Sequence, residues 1–560
     1  MQIDCDVLIV GGGAAGCVLA SRLSEDPATR VVLLEAGRDT PPGDVPADIN
    51  DTFPIAYFNP GYFWSGLSAR TNVGGGAAAY SQARVMGGGS SVMGMWALRG
   101  SPADYDAWRD AGATGWGWDD VLPSFRRLER DLDFAGPLHG ADGPIPVRRH
   151  PRESWPGFVS ALVEACERRQ LPAREDANAD FADGTFPTPF ANTVAGRVSS
   201  AAGYLTEAVR RRPNLRVIAD AAATTLLLDG HRVTGCGFRS AGRDGTVRAV
   251  ETVVSCGAIN SPALLLRSGI GPAEELRRAG VSPLVDRPGV GRGLQNHFVV
   301  NLATWLAPEA RQSAALRTYG VACARVSSQL AGTMSGDLHL QFMAKLSAYA
   351  HGDRLGMVGA ALYSPHSRGS VTLATDGLAL PPVVDFRFLS DPIDRVRMHK
   401  AIALGLDLLC DPQVSGTHGD VFIVVPSSLT RRLNRPSLRN QLLSSVIAAM
   451  LDAPPAIRRF ALDRVGQRID PTERSAAHLD ALLENVMPVF HPAGTCAMGR
   501  ADDPIAVTDP SCRVRGVAGL RVVDASIMPT VPTANTCIPT MMVAEHAGAL
   551  IAAERKAVAA

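Results

Sequence analysis

The chain has no excess of either charge: Lys+Arg and Asp+Glu both total 55 in 560 residues. Nucleic acid and anionic surfaces select for a basic surplus, so neither is an expected partner. No run of about 18 uncharged apolar residues occurs, which excludes a predicted spanning helix. The first apolar strand starts almost at Met1, so no leader is expected, and the expected address is a reducing cytoplasm. The ten cysteines contain no Cys-x-x-Cys pair. They point to buried thiols rather than a zinc site or a disulfide scaffold, and no metal is expected. Tandem repeats and low-complexity tracts are also missing. What remains is a chain too long for one typical core, for which two intertwined domains are expected.

What is there is glycine in a particular register. Gly11-Gly12-Gly13-Ala14-Ala15-Gly16 follows the apolar run Val7–Val10, opens a helix predicted over Ala14–Leu23, and precedes Val31-Val32-Leu33-Leu34-Glu35. This is strand, turn, helix, strand and acid, the arrangement of a dinucleotide clamp. Gly11 suits the tight turn, Gly13 lets backbone N–H groups approach a pyrophosphate, and Gly16 lets helix and sheet pack closely. The helix N-terminus offers free donors and partial positive charge to phosphates. The Glu35 carboxylate suits an adenosine ribose and would repel a 2′-phosphate, which argues against NADP. The clamp alone fits NAD or FAD.

Further along, Asp39–Asp51 is rich in Pro, Gly and Asp and reads as an ordered loop rather than a helix or strand. A second glycine block, 84–91, lacks the strand–helix phosphate register. The stretch Asn214–Gly230, with Leu215, Val217 and Leu226–Leu228, is expected to form a hairpin with a strand near Val233–Phe238. Val250–Cys256 followed by Gly257–Leu266 reads as another strand–turn–helix unit. From about Asn301 to Ser390 short alternating segments such as 337–342 and 370–373 predict antiparallel strands, hence a second domain. Leu438–Leu451 has apolar residues at helical spacing before Pro454-Pro455, flanked by arginines 431, 432, 435, 439, 458, 459, 464 and 468. It reads as a packed helix, with a lid over 431–470 or a membrane-surface contact as alternatives.

The sequence resembles the glucose–methanol–choline oxidoreductase family of flavoproteins, over nearly all 560 residues. Residues 83–92 (ARVMGGGSSV) are similar to the family's first signature, and residues 257–271 (GAINSPALLLRSGIG) match its second. The resemblance implies an α/β fold: a discontinuous, Rossmann-like FAD-binding domain (1–155, 195–297 and 480–560) and a substrate domain (156–194 and 298–479) whose antiparallel sheet is covered by helices. It also implies which residues meet FAD. From the clamp these are Gly11, Gly13, Ala14, Ala15, Gly16, Glu35 and Ala36. The first signature supplies Arg84, Met86, Gly87, Gly88, Ser91, Met93, Gly94 and Met95. Ala223, Cys256, Gly257, Ser261, Asp524, Ala525 and Thr536 complete the set. Met93 stands where the family has asparagine, and Met86 where a smaller aliphatic residue is usual. Val92 stands where relatives with covalently tethered flavin carry histidine, so the FAD is expected to be non-covalent.

In the family, the first histidine of the Phe490-His491-Pro492 segment and an asparagine matching Asn535 face the flavin. A neutral imidazole can take a hydroxyl proton near pH 7 while hydride leaves the adjacent carbon for flavin N5. His491 is thus the expected base, and Asn535 the group that orients the substrate oxygen. Trp96, Val489, Phe490, His339 and Gln341 are expected to line an apolar substrate pocket suited to aromatic or heteroaromatic primary alcohols. The segment around Asn296 and His297, with asparagine in place of the usual aspartate, reads as structural. The expected reaction is oxidation of the alcohol to the aldehyde, with O2 as acceptor and H2O2 as product. A dehydrogenase using a quinone or another acceptor, and a non-redox FAD-containing hydroxynitrile lyase, are the alternatives.

Overall fold

In the computed structural model, residues 2–377, 380–424 and 433–559 are described. Two sheets organise them. The first has seven strands, in the order Leu215–Ile218, Val31–Leu34, Gln2–Val10, Arg243–Val254, Arg232–Ser240 and Ala221–Asp229, with Leu520–Val522 also pairing Arg243–Val254. Pairing is parallel from Leu215–Ile218 through to Arg243–Val254 and with Leu520–Val522, and antiparallel across the remaining two strands. The runs Val7–Val10 and Val31–Leu34 are buried throughout. That is the signature of strands covered on both faces, and it is why they read as continuous apolar runs rather than alternating ones.

The helices Ala14–Leu23 and Cys537–Ala559 pack together against this sheet. Their contact is pinned by Arg22, which donates to Glu545, while the Tyr204 hydroxyl donates to the same carboxylate at 2.6 Å. The second sheet is antiparallel and eight-stranded: Gly466–Arg468, His418–Val424, Phe298–Leu306, Leu355–Leu362, Leu338–Met343, Ala322–Val326 and Gly184–Pro187 in order, with Met487–Pro488 on Phe298–Leu306. The 18-residue helix Pro392–Leu409 packs on it.

Three local expectations change. Leu215 and Val217 lie on a parallel strand beside Val31–Leu34, and only Ala221–Asp229 forms the hairpin with Arg232–Ser240. The residue count between the two runs hid this, because Asp220 at φ +50 turns the chain within two residues. The 39–51 loop contains one helical turn, Ala47–Asn50. The helix Leu438–Asp452 buries only Ser444, Ala448 and Leu451 fully, leaving Leu438 at 79% and Leu442 at 72% exposure. Its apolar residues occupy both faces, so it is a half-packed helix. Arg431 and Arg432 lie outside the described residues.

All ten cysteines are free thiols, seven of them buried. No described helix is long and apolar enough to cross a membrane.

Candidate active site

The glycine clamp ends one cavity of about 1200 Å³ that also reaches His491 and Asn535. At the clamp, Gly11 turns at φ +104, and a side chain there would strike the Ser255 carbonyl. Gly16 lies so close under that turn that a Cβ would sit 1.9 Å from the Gly11 oxygen. Gly13 differs: a Cβ there would meet only the Ser255 carbonyl oxygen, at 3.9 Å, so it faces open space. The helix Ala14–Leu23 starts at this glycine with no side-chain cap. Its first-turn N–H groups are therefore available to an anion. Glu35 accepts from Gly12 N at 2.8 Å and Gly37 N at 2.7 Å, which locks the acid beside the turn. Burial raises its carboxyl pKa, and these two N–H groups oppose the rise.

Most residues expected at the cofactor line this cavity. Gly11, Gly13, Ala14, Ala15, Glu35 and Ala36 do so from the clamp, and Arg84, Gly88, Met93, Gly94 and Met95 from the second glycine block. Ala223, Cys256, Gly257, Asp524, Ala525 and Thr536 add to the wall. Five others stand behind it. Gly16 packs the helix, Met86 is fully buried with its sulfur against Gly12, and Gly87 turns at φ +85. Ser91 donates to the Met86 carbonyl at 2.7 Å, and Ser261 to Asp524 at 2.5 Å. They shape the residues in contact with the cavity rather than touching it. Asp524 also accepts from Gly257 N at 2.8 Å, tying the C-terminal third to the second signature.

The other end is built by a short antiparallel ladder. Val489 N donates to the His297 carbonyl at 2.9 Å, while Gln295 and Ala493 exchange both backbone bonds at 3.0 Å. The 489–493 side of this ladder has two more residues than the 295–297 side, and the surplus is absorbed at Phe490, whose φ is +65. This bulge re-aims the chain, as bulges beside active sites do. The His491 backbone N–H is caught by Asn296 Oδ1 at 2.7 Å. His491 Nε2 then lies 3.2 Å from Asn535 Nδ2, and its Nδ1 lies 2.9 Å from His297 Nδ1. Burial pushes the His491 imidazole pKa down to about 3, so the ring is neutral at pH 7.

Of the expected pocket residues, Trp96, Val489, Phe490 and Gln341 line the cavity. His339 does not: it is buried behind Tyr363, stacked on that ring at 4.5 Å and 9°. Strand alternation put His339 on the Gln341 face, and Tyr363 from the neighbouring strand end covers it. His297, read from the sequence as structural, touches His491. Tyr363 was also missed; it stacks on His297 at 4.2 Å and donates to Asn535 Oδ1 at 3.2 Å. Tyr363 sits in no signature and His297 in a segment that reads as structural, so only the fold joins them to the site. Met343 and Met357, also unforeseen, make the cavity wall beside Gln341 largely apolar.

Residues 5–299 and 365–544 match the two halves of the GMC oxidoreductase family description. The chain belongs to the GMC oxidoreductase family. As a GMC protein it is an FAD-dependent oxidoreductase, and the uncapped helix and the open face at Gly13 fit the pyrophosphate of that cofactor. It is 38% identical to a 5-(hydroxymethyl)furfural oxidase of Methylovorus sp. (strain MP688), over 96% of this chain and 97% of the relative. An oxygen-dependent choline dehydrogenase of Sinorhizobium medicae (strain WSM419) is 32% identical over 97% and 95%. Among solved GMC-type structures, pyridoxine 4-oxidase from Mesorbium loti superposes with a TM-score of 0.79 at 28% identity, covering 97% of this chain and 98% of that one.

Proposed function

We propose that the protein oxidises a primary aromatic or heteroaromatic alcohol to its aldehyde and passes the electrons to O2, giving H2O2. The observation that carries this reading is the pairing of a neutral, buried His491 with Asn535 at the end of the cavity that begins at the glycine cradle. FAD held along this cavity would supply a two-electron acceptor for the alcohol carbon and a reductant for O2. The protein's own residues do the rest. His491 Nε2 takes the hydroxyl proton, and the Asn535 amide holds the substrate oxygen and steadies charge developing on it. Trp96, Met343, Met357, Val489 and Phe490 offer an apolar wall that excludes water and suits a planar ring. The names of the furfural and pyridoxine oxidases, both of ring-bearing substrates, support the same class.

The division into an FAD-binding domain (1–155, 195–297 and 480–560) and a substrate domain (156–194 and 298–479) belongs to this proposal. So does the non-covalent state of the FAD. The test is anaerobic mixing of the FAD-loaded protein with benzyl, furfuryl and pyridyl alcohols, followed by exposure to air. Bleaching of the flavin by these alcohols and rapid return of its colour in air are expected. Cyanohydrin cleavage without bleaching would instead reveal a lyase, and very slow reoxidation a dehydrogenase.

A further inference from the structure

His297 and His491 meet Nδ1 to Nδ1 at 2.9 Å inside the core. Burial holds both rings neutral. A neutral imidazole has one donor and one acceptor nitrogen, so a single proton sits between the pair. One ring is then the Nδ1–H tautomer and the other the Nε2–H tautomer. The choice decides whether His491 Nε2 shows the cavity a lone pair or an N–H.

Two sides of the network make the same choice. On one side, Gln341 Nε2 donates to the Tyr363 hydroxyl at 3.2 Å, and that hydroxyl donates to Asn535 Oδ1 at 3.2 Å. The Asn535 amide nitrogen, which can only donate, therefore faces His491 Nε2. On the other side, His297 Nε2 is buried with no hydrogen-bond partner in direct reach, and the backbone carbonyls of Tyr363 and Pro532 lie around the ring. Carbonyls accept and never donate, so they favour an N–H over a lone pair at that nitrogen. The ring plane of His297 is fixed as well. Tyr363 is stacked between His297 at 7° and His339 at 9°, and His297 stands edge-on to His491 at 84°.

We propose that His297 is a positioning residue: it keeps its own proton on Nε2, accepts from His491 Nδ1–H, and thereby presents His491 Nε2 as the lone pair that takes the substrate proton. Once that proton arrives, no electrons have moved within the pair. His491 is an imidazolium whose Nδ1–H donates to His297, a charge-assisted bond in a site where burial otherwise penalises the cation. His297 thus orients and supports a catalytic imidazole from behind, the role a carboxylate plays in serine hydrolases. The tautomer assignment stands on this geometry together with the burial of both rings; its effect on turnover rests on the alcohol-oxidising reading above.

The experiment has a spectroscopic arm and a kinetic arm. Solid-state NMR of 15N-histidine-labelled, FAD-loaded protein, with His491→Gln to assign the signal, should show His491 protonated at Nδ1 and bare at Nε2. An Nε2–H tautomer overturns the proposal. In stopped flow, His297→Phe keeps a ring on Tyr363 but removes the acceptor; the limiting rate of flavin reduction should fall about 10²-fold while the apparent Kd for the alcohol moves less than about threefold. His297→Asn, whose Oδ1 can occupy the place of Nδ1, should restore most of that loss. A Phe variant at the wild-type rate, or an Asn variant no better than Phe, overturns it. If the Phe variant does not fold, the wild-type spectrum alone decides. An Nδ1–H signal from a protein that no alcohol bleaches would leave the tautomer assigned and refute the functional reading instead.

Discussion

The hydroxyl of Tyr363 donates to Oδ1 of Asn535 at 3.2 Å, and so fixes which face of that amide meets His491. Removing the hydroxyl frees the amide to rotate and leaves Gln341 Nε2 without its acceptor. Tyr363→Phe keeps the stack with His297 and His339. It should retain FAD and lower the rate of flavin reduction by roughly tenfold, in line with about 1–1.5 kcal/mol for one hydrogen bond. Stopped-flow reduction under argon measures this; an unchanged rate would mean that the amide is oriented by something else.

His491→Ala removes the only base placed against Asn535 among the described residues. Flavin reduction by the best alcohol should fall by about 10²–10⁴-fold, with the flavin spectrum of the resting protein intact. Full activity in this variant would end the assignment of His491.

Which parts of this site were legible in the sequence follows from physics. The clamp was readable because each glycine answers a local constraint: the turn at Gly11, the close approach at Gly16 and the open face at Gly13 all arise within six residues. Helix Ala14–Leu23 and strand Val31–Leu34 were readable for the same reason. His491 and Asn535 were reached through family resemblance, since nothing local marks a histidine as a base. Tyr363 was out of reach, and His297 shows in the sequence only as part of a segment that reads as structural. His297 meets His491 through the bulge at Phe490 and the pairing of Met487–Pro488 with Phe298–Leu306, contacts that join residues about 190 apart in the chain. His339 was misplaced because alternation tells which face a side chain takes, but not what the next strand lays over it.

Two neighbouring glycines should respond oppositely to alanine. At Gly16 a methyl would sit 1.9 Å from a backbone oxygen that cannot move without breaking the turn, so Gly16→Ala should fail to accumulate as folded protein. At Gly13 the methyl has room in the protein but enters the space beside the uncapped helix start. Gly13→Ala should fold, with near-native circular dichroism, and bind FAD at least tenfold more weakly by fluorescence titration. Equal FAD affinity would show that the pyrophosphate lies elsewhere.

Val92 is fully buried in an apolar cluster with Ile49, Ala56, Tyr62 and Val85, and it has no nucleophile to offer a flavin. Acid precipitation should therefore leave the yellow colour in the supernatant. Colour retained in the washed pellet would contradict this and call for a different tether.

Burial also makes an acid-side prediction. His491 and His339 are pushed down to about 3, His150 and His351 to about 4, and His297 lies well below its usual value. Below about pH 6.5 the unfolded chain binds protons at these sites while the folded one does not, so stability falls as pH falls, by about 1.4 kcal/mol per pH unit for each site fully engaged. Buried Glu35, Asp104 and Asp524, which are raised, act in the opposite sense but are fewer. His139, lifted to about 11 mainly by Asp131, with Asp176 and Glu129 adding, contributes stability that is fully present below pH 6.5 and is lost progressively as pH rises from 6.5 to about 11. The thermal unfolding midpoint should drop between pH 6.5 and 4.5, and a flat profile there would refute the buried neutral histidines.

The strand that opens the chain is hydrogen-bonded to Arg243–Val254, which in turn pairs with Leu520–Val522, and the helix that carries the clamp leans on Cys537–Ala559. During synthesis, then, Gln2–Val10 is made well before its partner Arg243–Val254. At about 5–20 residues per second, Gln2–Val10 waits roughly 12 to 50 seconds before Arg243–Val254, the later of its two flanking strands, exists. The wall of the nucleotide cavity also draws on Asp524, Ala525 and Thr536, so it is complete only once the C-terminal third has been made. A chain stopped short of Leu520 would carry every glycine of the clamp and lack Asp524, Ala525, Asn535 and Thr536 from the wall they face.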